Sequence, residues 1–358
     1  MEQVTASGFR QRPIGLRCLY NNGETTKEDS MKTLRRLIFP FLIALSFALV
    51  TQPAFSQLPT ATAVGNDNSR GTGGPGKPVI IPVTIRTKEE TTARSEENYF
   101  QNIDLVISED GDPQTIISVR GITNSPMTLC VLIQEDVVPS VGNEIKDLGE
   151  FIRRLPKGSR VMVGNLRAGS LLVRQKFTND LEKAASALRP PSGFPSSSPY
   201  NPYVEVIEAL RRFEGQPLGR RAILLVSDGL DISRGVDSSS PSQSVDLQRA
   251  VNESQRRGVA IYGFYAPTTI AAANPSLIGN AQSSLLRLSD ETGGIAFFQG
   301  TGAPVSFRPF IRELDTALQK QAALTFLSTH LKKGFHKIEV KSSTPGVRVS
   351  YPSGYVRN

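Results

Sequence analysis

Ala222-Ile-Leu-Leu-Val226 is a run of five apolar residues that follows Arg220-Arg221 and stops at Ser227-Asp228-Gly229. An amphipathic helix would break such a run with a polar residue within one turn, and none comes. A continuous apolar run closed by a turn signal reads as a strand buried on both faces, as in parallel sheets. The chain is thereby directed to folds in which helices cover a sheet from both sides. Asp228 also gains a place, because open α/β sheets bind ligands at the carboxyl ends of their strands. Asp-Gly is equally a turn former, so position alone leaves Asp228 between ligand and turn residue.

The front of the chain reads differently. Met31-Lys-Thr-Leu-Arg-Arg36 is a basic stretch, and residues 37–50 are uncharged and apolar. Ala54-Phe55-Ser56 then places small residues where a signal peptidase reads. Residues 31–56 are expected to be a secretory signal peptide, cleaved between Ser56 and Gln57, so that membrane contact is transient. The apolar stretch falls short of the roughly 20 residues that a membrane-spanning helix needs. Residues 1–30 resemble neither a targeting segment nor a domain, and Met31 is the expected start. The product would be secreted or periplasmic.

The full sequence has a formal net charge of +8. Residues 1–56 carry seven Lys+Arg and four Asp+Glu, which leaves 34 basic against 29 acidic residues. The excess is small and scattered in pairs such as Arg153-Arg154 and Lys332-Lys333, with no basic stripe interleaved with aromatics. Nucleic acid is not an expected partner. Beyond Ser56 the only cysteine is Cys130, so no disulfide forms within the mature chain. It sits in an apolar run and is expected to be buried and inert. Gly71-Thr-Gly-Gly-Pro-Gly76-Lys77 has most of a phosphate-binding loop. No strand precedes it, Pro78 replaces the Ser or Thr that would hold magnesium, and a strand follows instead of a helix. No nucleotide is expected there.

Residues 57–78 read as a flexible leader rich in Gly, Ser, Thr, Pro and Asn. Residues 79–122 form a strand-rich segment with a hairpin turn at Glu109-Asp-Gly111-Asp112. From residue 123 to 321 buried strands alternate with amphipathic helices, and Arg167-Ala-Gly169 is too short to join parallel strands. The expected fold class is α/β, a doubly wound, mostly parallel sheet of five parallel strands and one antiparallel hairpin strand. Residues 322–358 supply closing strands. Neither flanking segment can bury a core alone, so 322–358 is expected to pair with 79–122 as a small β-sandwich.

Several of these pieces together carry a resemblance. After the first buried strand come Asn143-Glu144 with a helix, Leu155-Pro-Lys-Gly-Ser-Arg160 before a hairpin, and Leu225-Val-Ser-Asp228-Gly229. The flanks add Pro82-Val-Thr84, the run from Asp104 to Ile116, Phe335-His-Lys-Ile-Glu-Val-Lys341 and Pro352-Ser-Gly-Tyr355. The chain resembles the von Willebrand factor A domain, in particular the secreted VWFA-related proteins of acidobacteria, over nearly all of its mature length.

The resemblance implies a metal-ion-dependent adhesion site, in which three loops at the carboxyl edge of the sheet hold magnesium or a similar divalent cation. A carboxylate of a protein partner would complete the shell. Its first loop should read Asp-x-Ser-x-Ser. Here Gln134 stands at the usual Asp position, with Glu135, Asp136, Val137, Val138 and Ser140 following. A two-residue slip gives Asp136, Val138 and Ser140, and either register puts a valine in place of a hydroxyl. Ser198, with Ser197 or Tyr200 beside it, stands in for the Thr of the second loop. Asp228 is the third-loop ligand and Asp231 an outer helper. The metal ligands implied are thus Asp136, Ser140, Ser198 and Asp228, a degenerate and weak set.

The function expected is a protein-binding, adhesion-type module. A structural envelope or matrix component with a vestigial site is the alternative, and a hydrolase using Asp136 and Asp228 a third. No nucleophile signature accompanies His330 or His336, the only two histidines. His336 reads as a turn or surface residue.

Overall fold

A computed structural model of the chain describes residues 76–87, 103–167, 169–194 and 201–358. The expected signal peptide, nearly all of the leader, and Ser197, Ser198 and Tyr200 lie outside the described residues. Lys77 opens strand β1 (Lys77–Thr87), so no helix follows the glycine-rich stretch before it.

A hairpin of β2 (Leu105–Glu109) and β3 (Asp112–Arg120) comes next. Its two-residue turn, Asp110-Gly111, has φ of 51° and 97°. Positive φ at both central residues suits the right-handed twist of the paired strands.

The α/β layer then begins. Its strands are β4 (Thr128–Gln134), β5 (Arg160–Arg167), β6 (Ser170–Thr178), β7 (Arg221–Ser227), β8 (Ala260–Tyr265) and β9 (Ala296–Phe297). They lie in the order β6-β5-β4-β7-β8-β9, and only the β5–β6 pairing is antiparallel. The five parallel strands and one antiparallel strand expected from the sequence are present. Alternation on buried strands explains the continuous apolar runs. Leu129, Val131 and Ile133 of β4 join one core, while Cys130 and Leu132 join the other.

Helices α1 (Ile145–Arg153), α2 (Leu181–Ser186), α3 (Pro202–Arg211), α4 (Val245–Arg257), α5 (Thr269–Ala272), α6 (Pro275–Thr292) and α7 (Arg308–Gln319) cover the sheet. The first core packs against α1, α2 and α7, the second against α3, α4 and α6. A single helix starting at Ser140 is expected from the apolar spacing. Pro139 instead opens a 3-10 turn, Pro139–Glu144, and the α-helix starts at Ile145.

The chain closes with β10 (Gln321–Ser328), β11 (Gly334–Ser342), β12 (Val347–Ser350) and β13 (Gly354–Arg357). The sequence predicts that these form a small sandwich with the early strands, and they do not. All seven flanking strands share one antiparallel sheet, in the order β12-β1-β10-β3-β2-β11-β13. Early and late strands interleave: β10 sits between β1 and β3, and β2 pairs with β11. One sheet suffices because it buries its own apolar face around Ile81, Val83, Ile107, Leu324, Phe326 and Val340.

This sheet meets the α/β layer at the amino ends of the parallel strands. Arg220, just before β7, is buried, and its guanidinium donates to the carbonyls of Ser125, Gln321 and Leu318. The C-cap Gly258 of α4 comes so close to β1 that a Cβ there would lie 2.8 Å from the Ile80 carbonyl. The opposite, carboxyl edge carries the loops in which the sequence places the site.

Candidate functional site

In β4–β5–β6 the chain moves outward on one side of the sheet, and it returns at β7 to continue on the other. The crevice between β4 and β7 is therefore the switch point where doubly wound folds hold ligands. Gln134 ends β4 and Asp228 follows β7.

The Gln134 side chain spans that gap and is fully buried. Its Nε2 donates to Asp136 Oδ1 at 2.9 Å. Its oxygen accepts from the Ser227 hydroxyl, and from the backbone N–H of Asp228 at 3.1 Å. Asp228 in turn accepts from the Leu230 N–H at 3.0 Å and from the Thr268 hydroxyl at 2.8 Å, one bond on each carboxyl oxygen. The turn after Asp228 needs glycine, because Gly229 has φ of 73° and a Cβ there would lie 2.6 Å from Leu285. Asp231 does not reach the pair. It accepts from Ser233 and from Ser244, the residue that caps α4.

Burial governs the charge of the two acids. It pushes Asp228 up to about 7, with the nearby charge of Asp136 adding to the effect. Burial also raises Asp136, against the hydrogen bond from Gln134. Glu135 points away, toward Arg167 and Arg174 at 3.0 and 3.3 Å.

These residues can be tested against a magnesium shell, which requires oxygens in near-octahedral array. Gln134 offers an N–H donor and an oxygen already holding two bonds, where the resemblance expects a carboxylate. Val137 is buried in a bridge to Thr268, and Val138 brings no side-chain oxygen. Ser140 is exposed on the 3-10 turn. Both oxygens of Asp228 are taken by protein donors, and the buried Tyr265 hydroxyl, which has no hydrogen-bond partner, is a neutral phenol. Ser198 lies outside the described residues. The residues described do not fit the three-loop shell.

A second group of polar residues lies in the antiparallel sheet. Glu109, Asp110, His330 and His336 each offer one ligand atom, and these atoms lie within 4.8 Å of one another. His336 is buried in β11, not at the surface as its sequence context suggests. Sequence spacing gave no sign of the group, because its halves lie some 220 residues apart. The signal that existed was the presence of two histidines six positions apart around a strand turn.

A doubly wound α/β domain carrying an antiparallel sheet built from its flanking segments is thus the class that fold and site define. No protein-family model matches the chain, and no curated protein is similar to it. Among solved structures, a von Willebrand factor type A protein from Catenulispora acidiphila is similar at 11% identity, with a TM-score of 0.39. The match covers 81% of this chain and 76% of that one. An aerotolerance-related membrane protein from Bacteroides fragilis matches 55% of this chain and 100% of its own, at 13% identity and a TM-score of 0.38. BatB from Bacteroides thetaiotaomicron gives 13% identity, 55% and 98% coverage, and a TM-score of 0.39.

Proposed function

We propose that the chain is a secreted or periplasmic, non-enzymatic protein-binding module of the VWFA-related kind. Its recognition surface is the set of loops at the carboxyl edge of the α/β sheet, and it works there without a resident cation.

One observation carries this reading. Phe194, Val236, Ile270, Phe298 and Val305 are all exposed, and each stands on a segment that belongs to the carboxyl edge. Val305 is 93% and Phe194 79% exposed. Exposed apolar side chains on the loops of one edge suit a protein partner, which covers them on binding. The acids beneath them are held by Gln134 and Thr268, so the edge supplies a shaped, hydrogen-bonded floor instead of an open coordination position.

The test begins with the chain from Gln57, cross-linked to envelope proteins of its own source cells, and with the captured partner identified by mass spectrometry. The purified partner is then titrated with wild type and with Phe194→Glu/Phe298→Glu/Val305→Glu. The triple variant is expected to bind at least about tenfold more weakly, as loss of an interface anchor requires. Leu218→Glu, exposed elsewhere, should bind normally, and chelation of magnesium should change nothing. Equal binding by the triple variant, or loss of binding on chelation, would overturn the reading. Export is checked separately, by an intact mass that starts at Gln57.

A further inference from the structure

We propose that Glu109, Asp110, His330 and His336 form a binding site for a divalent transition metal of the zinc class, which clips the early and late strands of the antiparallel sheet together. This is independent of the carboxyl edge and of any partner there.

The histidine tautomers carry the first step. Nε2 of His336 lies 2.8 Å from the Lys332 carbonyl oxygen. A carbonyl only accepts, so this nitrogen holds the hydrogen. In a neutral imidazole the lone pair is then on Nδ1. That atom faces Asp110 Oδ2 at 2.8 Å and Glu109 Oε1 at 3.4 Å. His330 repeats the pattern, with Nε2 2.9 Å from Asp112 Oδ2 and Nδ1 3.2 Å from the same Asp110 Oδ2. Two lone pairs aimed at carboxylate oxygens repel unless a positive centre lies among them, either a proton on each ring or a metal ion. An outer ring nitrogen tied to a carbonyl or carboxylate, with the inner one free, is the arrangement of a metal-bound histidine.

Glu109 supplies an independent observation. It is fully buried, and its Oε1 accepts from the Tyr355 hydroxyl at 2.6 Å and the Ser328 hydroxyl at 3.0 Å. Its Oε2 is buried with no hydrogen-bond partner. An acceptor oxygen of a buried acid left unmet is costly, and a cation at this carboxylate, whose Oε1 faces His336 Nδ1 at 3.4 Å, would offset that cost.

The spacing is also suitable. A tetrahedral shell with bonds of about 2.1 Å sets its ligand atoms roughly 3.4 Å apart. Three of the six contacts between donor atoms measure 2.8, 3.2 and 3.4 Å, and all six lie within 4.8 Å. Two imidazole nitrogens with two carboxylates favour zinc and its neighbours over magnesium or calcium, which prefer oxygen alone. Four protein ligands leave no open position, as in a structural site. Glu109 and Asp110 come from the end of β2 and its turn, and His330 and His336 from either side of the start of β11. Binding would therefore join segments distant in sequence, where closing the loop matters most to the unfolded chain.

The experiment uses the untagged chain from Gln57, stripped with a chelator and titrated with zinc by calorimetry, with cobalt(II) absorption reporting the geometry. One zinc per chain is expected, with a tetrahedral cobalt spectrum. The melting temperature should rise by roughly 5–10 °C at a hundredfold excess over Kd. His330→Ala and His336→Ala should each abolish both effects. Should His336→Ala fail to fold, His330→Ala, on the partly exposed side of the cluster, decides alone. Asp228→Asn must retain zinc binding, which keeps this site distinct from the carboxyl edge. Absence of saturable zinc binding, or binding unchanged in His330→Ala, would overturn the proposal and leave the two rings as hydrogen-bond partners of the acids.

Discussion

The backbone N–H of Asp228 donates to the side-chain oxygen of Gln134 at 3.1 Å, joining β7 to β4 where the strand order of the sheet reverses. A carboxamide can do this and also donate to Asp136 from its other end. A carboxylate at position 134 would instead face Asp136 as a like charge. The edge is built around an amide, and its behaviour should follow from that.

Gln134→Ala should destabilise the fold by roughly 2–4 kcal/mol. It removes the acceptor of two buried donors and leaves a cavity at the end of β4. Urea unfolding of the two proteins measures the difference, and a loss below about 1 kcal/mol would show that the bridge contributes little.

Asp228 should make stability depend on pH. Its folded value of about 7 lies well above that of an unfolded aspartate, about 4. Between those values the folded state keeps a proton that the unfolded state has lost. Stability from this group is therefore full below about pH 4 and falls as pH rises toward 7, by an amount on the order of a few kcal/mol. Asp228→Asn should flatten that part of the profile when unfolding is compared at pH 4.5 and 7.5. An unchanged profile would place the titration elsewhere.

Arg220→Met should cost roughly 3 kcal/mol or more. The carbonyls of Ser125, Leu318 and Gln321 lose charged donors at the junction of the α/β layer with the antiparallel sheet. Because other junction contacts such as Gly258 against Ile80 remain, thermal unfolding of the variant should still be a single transition at a lower midpoint. Two separated transitions would contradict this and mean that Arg220 alone couples the sheets.

Cys130 lies at the centre of β4 with no exposure, and burial pushes its thiol far up. It should resist thiol reagents in the native protein and react fully in denaturant. Labelling under native conditions would reveal opening of the sheet core.

The parallel strands were plain from residue type, because a strand buried on both faces leaves a continuous apolar run, as in Ala222 to Val226. The Asp110-Gly111 turn and the β5–β6 hairpin were equally plain from local chemistry. Other features depended on pairing between distant segments. Nothing local says that β10 slips between β1 and β3, so the sequence suggests a small sandwich where the structure has one sheet. His336 lies beside Gly334-Phe335 and looks like a turn residue until β2 and β13 flank it. At the carboxyl edge, Gln134, Asp136 and Asp228 were identifiable as candidates. Which of them would point inward, and that Thr268 would hold Asp228, depended on the tertiary fold.

The most direct test of the central claim is a titration of magnesium into the metal-stripped chain, by calorimetry and thermal melting, beside Asp228→Ala. An edge closed by Gln134 predicts no saturable heat and no rise in melting temperature in either protein up to low-millimolar magnesium. Binding by the wild type that Asp228→Ala abolishes would contradict it, and would make a cation part of how this edge meets its partner.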